Sequence, residues 1–321
     1  VSARLTVWGV IAVISLMSVL FVPFSAMAWG VNYDYTLRIV ALGGVLLGVI
    51  SGVMGTFAVL RQQSLMGDAL SHAALPGVAV AFLLFGRELG VLLIGAGIAS
   101  WLAILFINAL TSTTRIKQDT AMAIALASWF ALGMALLTFI QGSGNASQAG
   151  LDKFIFGQAA AIVERDVQLI LIVGGVCFGV IALLWKELKL LVFDRDFAQA
   201  NGFPSRTLDL LLSTMIVVAV VLGLQLAGVI LMVGLLIAPP IAARQWTQRL
   251  SQMVVLSGVF GGFSGGVGAI ISAIDVNLPT GPFIIIVAFS LVVFSLLFAP
   301  QRGLVWSWRH QSSQQTTLQE D

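Results

Sequence analysis

Charge is scarce in this sequence: Asp, Glu, Lys and Arg make up 9% of its 321 residues, against roughly 25% in a soluble domain. With 59% hydrophobic residues and a mean hydropathy of +1.04, the chain reads as a polytopic membrane protein. A lone cysteine, Cys177, excludes an internal disulfide and any paired-cysteine metal or redox centre. Only two histidines occur, His72 and His310, and HExxH is absent, so an intramembrane zinc enzyme lacks its ligands within one chain. GxxxxGK[ST] is also missing, so this chain does not cradle ATP phosphates by that loop. A net charge of +2 is too small to argue for nucleic acid. Polar segments are short, which leaves no room for a large soluble domain.

Long apolar runs are what remain. They cover residues 5–28, 37–60, 64–85, about 89–110, 120–140, 167–185, 250–274 and 283–298. The stretch 207–243 is long for one span and short for two. Gln225 and Pro239–Pro240 are its candidate breaks, and a hairpin of two short helices is expected. The fold class is therefore all-α, a transmembrane bundle of about eight to ten spans. One membrane domain, 1–300, is followed by a polar tail, 301–321. Ala26–Ala28 resembles a signal-peptidase site, but the apolar core before it exceeds the roughly 7–15 residues of a signal peptide, which favours a retained helix. Residues 141–166 are too broken to span, and an outer loop with an interfacial helix is expected there.

Lysine and arginine assign the sides. Arg4, Arg61, Arg115, the segment 186–206, Arg244, Arg249, Arg302 and Arg309 all fall inside in one self-consistent threading, leaving Arg87, Lys153 and Arg165 outside. Both termini are then cytoplasmic. Glu88, Asp119 and Asp209 lie at span ends and read as interfacial charges. Met54 and Met66 read as packing residues.

Two glycine ladders, Gly44, Gly48 and Gly52 in the second run and Gly258, Gly262 and Gly266 near the end, let helices approach closely. The third run differs from the others by carrying Asp68 and His72. Four residues apart, they share one face of a helix. At ~1.5 Å per residue from Arg61, Asp68 lies roughly 10 Å and His72 roughly 16 Å into the membrane. Carboxylate and imidazole together suit a divalent first-row metal; they also suit a plain pair, with each other or with a neighbouring helix. Pro76 leaves the His72 carbonyl without its helical donor, so it either supplies a further oxygen or simply kinks the helix.

At this point the residues carry a resemblance. LRQQSLMGDALSHAALPGVAVAF resembles the signature of the membrane subunits of bacterial ATP-binding-cassette importers for manganese, zinc and iron. KELKLLVFDRDFAQANG is similar to that family's cytoplasmic coupling segment, and GVILMVGLLIAPPIAARQ to its late-span motif. The resemblance implies a permease, not an enzyme, working as a dimer in the inner membrane. Two cytoplasmic ATPase subunits would hold the ATP and an extracytoplasmic metal-binding protein would deliver the cargo. It also implies that Asp68 and His72 bind the transported metal, and that ATPase coupling involves Phe193, Asp194, Ala198 and Gly202. Leu190, Phe193 and Phe197 are the apolar anchors expected of that amphipathic segment. The DALSHAALPG form is nearer to manganese-type members, with zinc or iron next. A permease of the related vitamin B12 or siderophore type is the alternative, and it would not need Asp68 and His72.

Overall fold

The computed structural model describes residues 35–86, 88–142, 162–272, 279–300 and 303, and every regular element among them is a helix. In chain order they are α1 (Tyr35–Leu60), α2 (Met66–Phe85), α3 (Leu89–Thr113), α4 (Gln118–Gly142), α5 (Glu164–Leu183), α6 (Trp185–Phe193), α7 (Arg195–Ala200), α8 (Ser205–Trp246), α9 (Leu250–Ser272) and α10 (Thr280–Phe298). Eight contain stretches long and apolar enough to cross a membrane. The apolar run 5–28, most of the expected outer loop, His310 and both termini lie outside the described residues.

Glycine decides how α1 and α9 meet. A Cβ on Gly44 would stand 2.7 Å from the Gly265 carbonyl oxygen, and one on Gly48 or Gly52 would come closer still to the carbonyls of Gly261 and Ser257. The two backbones therefore touch along an antiparallel row, close enough to be excluded by any larger residue. On α9 this row is Ser257, Gly261 and Gly265. Gly258, Gly262 and Gly266 stand one residue aside and receive the side chains of Val53, Val49 and Val45 instead.

The stretch 207–243 lies within α8, which is two helices joined at Gly228 (φ 74°, ψ 175°). A continuous helix would hold residues 223 and 232 about 13.5 Å apart, yet a Cβ on Gly223 would collide with the Met232 sulfur. The chain thus doubles back, as the expected hairpin requires. Its turn is at Gly228, where a left-handed φ suits glycine, while Pro239 and Pro240 are accommodated inside the returning half. That half lies along α1: Ser51 Oγ donates to Met232 Sδ, Leu236 faces Gly55, and Pro240 Cγ would meet a Gly55 Cβ at 3.0 Å.

Gly48→Leu should destabilise the folded protein by at least about 1–3 kcal/mol, since an overpacked backbone contact has nowhere to relax. Gly175 has open space around it, so Gly175→Leu should leave the melting temperature in detergent unchanged; parallel melts of the two variants check this.

Candidate metal centre

Three sides of α2 are closed by neighbouring helices. Gly67 presses on Leu236 of the returning half of α8, Gly77 on the backbone of Gly95 in α3, and Leu75 with Pro76 on Gly133 in α4. Ser100 Oγ adds a 3.0 Å hydrogen bond from α3 to the Leu70 carbonyl. The remaining side is partly open: Leu65 and Val80 are exposed along it, Asp68 and His72 are half-buried, and Pro76, between His72 and Val80, is packed on α4.

Asp68 Oδ1 and His72 Nε2 are 3.3 Å apart, with side chains 37% and 27% exposed. An ion held about 2.1 Å from each would see the two donors at roughly 100°, between the tetrahedral and octahedral angles. The imidazole is steadied by the edge of Phe130 on α4, with ring centroids 4.9 Å apart and planes at 82°. Its Nδ1 is buried without a hydrogen-bond partner, so Nε2 is the nitrogen turned to the carboxylate. Among the described residues no group of three or more His, Cys, Asp or Glu side chains could hold a metal. One chain brings together two donors. Met54 and Met66 are buried in the core, away from any such role.

Pro76 is buried, and a Cβ on Gly133 would stand 3.1 Å from both its nitrogen and its Cδ. The place where the His72 carbonyl lacks its donor is thus packed against α4.

The segment 186–206 is not one helix. It breaks at Asp194, whose Oδ1 accepts from the Phe197 N–H at 2.9 Å and caps α7. Leu188, Leu191 and Ala198 point into the bundle; Leu190 is half-buried, and Phe193 and Phe197 are exposed. Ala198, read from sequence as a coupling residue, therefore packs within its own chain. Gly202 (φ 80°) ends the segment, its N–H bonded to the Gln199 carbonyl.

Sequence reading missed one group. Asp209, read as interfacial, is largely shielded and takes Arg61 on Oδ1 and Arg195 on Oδ2, the latter at 3.0 Å. Burial lowers the Arg61 guanidinium below its usual pKa and the neighbouring Arg195 adds to this, while the Asp209 carboxylate opposes both. Nothing local could reveal it, because Arg61 and Asp209 are 148 residues apart.

Eight described helices long and apolar enough to cross a membrane define a multi-pass membrane protein. The chain belongs to the ABC 3 transport family, whose match covers residues 32–299. It is a protein of the cytoplasmic membrane, and a transport subunit in place of an enzyme. It is 46% identical over 280 residues to the zinc transport system membrane protein TroC of Treponema pallidum (strain Nichols), covering 87% of this chain and 94% of that one. Identity is also 46% over 266 residues with the manganese transport system membrane protein MntC of Bacillus subtilis (strain 168), covering 83% of this chain and 61% of the relative. Among solved structures, PsaBC from Streptococcus pneumoniae in complex with Fab is similar with a TM-score of 0.75 and 32% identity, over 87% of this chain and 97% of that one.

Gly133→Leu should push α4 off Pro76 and carry Phe130 away from His72, lowering stability by about 1–3 kcal/mol. A reduced melting temperature, together with a changed His72 ring resonance in specifically labelled protein, is the expected result.

Proposed function

We propose that this chain is the membrane permease of an ATP-driven importer for a divalent transition metal, manganese(II) first, with zinc(II) or iron(II) next. The observation that carries it is the 3.3 Å couple of Asp68 and His72 on the partly open face of α2. An ionisable pair at membrane depth is costly and marks an ion path, and the similar proteins TroC and MntC are named for zinc and manganese transport.

Two donors are too few to hold a cation that has shed its water. A second copy of the chain, related by a two-fold axis beside that face, brings two Asp68 and two His72 around one ion. Oxygen and nitrogen without thiolate suit manganese(II), iron(II) and zinc(II), and disfavour copper(I). The packing of Gly133 against Pro76 favours a kink over a carbonyl ligand, so the four side chains and residual water complete the shell. ATP is hydrolysed by two cytoplasmic ATPase subunits that dock on α6 and α7 through Leu190, Phe193 and Phe197, with Asp194 and Gly202 fixing the shape of the segment. An extracytoplasmic metal-binding protein delivers the cargo. Residues 1–300 form the membrane domain, 301–321 are a cytoplasmic tail, and both termini lie in the cytoplasm.

Asp68→Ala and His72→Ala should each reduce manganese(II) uptake at limiting metal at least about tenfold, the scale of losing a metal contact, in cells where the protein still inserts. Normal uptake by both variants would remove the site and favour the vitamin B12 or siderophore type. Elemental analysis of the purified complex should find one metal per two chains. Pro76→Ala should lower manganese and zinc uptake alike; a changed ratio between the two metals would restore the carbonyl to the ligand set.

Removing both Phe193 and Phe197 rings should cost the ATPase contact about 2 kcal/mol or more, as buried aromatic anchors do. Retention of the ATPase on the affinity-purified permease measures it.

A further inference from the structure

The cytoplasmic end of the bundle carries an ion cluster that transport of a metal does not by itself require. One carboxylate, Asp209 in the second turn of α8, faces two guanidinium groups. Its Oδ1 takes Arg61, whose side chain is 9% exposed, and its Oδ2 takes Arg195, 52% exposed, while Asp209 itself is 16% exposed. The inner pair is shielded from water and the outer pair is wet. A shielded pair is hard to break, because it leaves a buried charge behind, whereas an exposed pair is weak and exchanges readily.

The two arginines belong to different machinery. Arg195 is the first residue of α7, directly after the Asp194 cap that fixes that helix. Arg61 heads the turn into α2. That turn is tied by backbone bonds: Arg61, Gln62, Gln63, Met66 and Ala69 donate their N–H groups to the carbonyls of Phe57, Val59, Ala58, Gln63 and Leu65 at 2.9–3.1 Å. Gln62 holds φ 58° within it, a conformation a non-glycine residue adopts only when its surroundings impose it. Arg61 Nη1 and Gln63 Oε1 are buried there without hydrogen-bond partners, so the turn keeps polar capacity unused in this arrangement. Seven residues beyond Arg61 stands Asp68.

We infer that Asp209 is a positioning residue for coupling: it holds α7 to the turn that leads into the metal-bearing helix, with the Arg61 pair as the fixed end and the Arg195 pair as the releasable one. The inference rests on the proposed reading of α6 and α7 as the ATPase-docking segment. Movement of α7 by the ATPase then either pulls Arg61, and with it the first turn of α2, or breaks the exposed pair and lets α2 relax. A purely structural cluster would need only the shielded pair to neutralise Arg61.

The test uses the whole complex, permease with its ATPase in proteoliposomes supplied with the binding protein, and manganese(II) as probe. Arg195 is exposed, so Arg195→Ala should assemble and melt like the unaltered protein and hydrolyse ATP at a similar rate. Manganese imported per ATP should fall about fivefold or more, the lower end of an energetic coupling between sites. Arg195→Lys should recover most of the ratio, and Lys117→Ala, which removes an exposed cation between α3 and α4, should leave it unchanged. An unchanged ratio in Arg195→Ala overturns the inference. Equal loss of hydrolysis and uptake with a lowered melting temperature marks the pair as structural and overturns it too. Failure of the docking reading shows separately, as loss of crosslinking between Phe193→Cys and the ATPase in a complex that is otherwise unaltered.

Discussion

Gly44, Gly48 and Gly52 lie so close to α9 that no side-chain atom fits between the two backbones. In a bilayer, where lipid tails are as apolar as the helices, association relies on contact of this kind and not on escape from water. Because α1 is fixed there, its other faces become fixed platforms. Gly55 receives the returning half of α8, and Arg61 ends the helix where Asp209 can reach it. The position of α2 follows from both, through the hydrogen-bonded turn at residues 61–66 and the contact of Gly67 with Leu236.

Two ionic clusters are treated in opposite ways by this frame. Arg61 and Asp209 are shielded and paired, the arrangement that keeps a buried charge tolerable. Asp68 and His72 are left on a partly open face with a hydrogen-bond-free Nδ1 behind the ring. Half-exposed, the couple keeps lone pairs free for a cation, and that exposure fits a binding role in the proposed permease.

Residue pattern alone made much of this legible. Apolar runs located the eight described helices long enough to span, and the spacing of Asp68 and His72 placed them on one face. What was not legible has physical reasons. GGFSGG in α9 offers two adjacent rows with a four-residue repeat, and only the partner helix chooses Gly261 and Gly265 over Gly262 and Gly266. Both Pro239–Pro240 and Gly228 could have turned α8, and prolines break a helix in isolation more surely than in a bundle, where neighbours re-satisfy the freed backbone groups. Asp194 entered only as a coupling residue, although its short acceptor side chain also suits the helix cap it forms. Ala198 gave no sign of which way it points. Asp209 needed two arginines from distant parts of the chain, and long-range ion pairs leave no periodicity to find.

Pro76 divides α2 into parts with different attachments. Before it, the turns carrying Asp68 and His72 are fastened through Gly67 to α8, through Ser100 to α3, through Phe130 to α4 and through residues 61–66 to Asp209. At and above it, the helix is fastened to α4 by Gly133 and to α3 by Gly95. A proline removes one backbone hydrogen bond between the two parts and so localises bending there. The candidate ligands lie on the N-terminal side of that weak point, on the part attached to Asp209, one helical turn or two from it. In the proposed permease, displacement at the membrane surface would tilt the donors of each copy relative to the other without disturbing the packing of the outer half. Four donors split between two copies lose their ion when the copies separate slightly, since coordination depends on fixed distances.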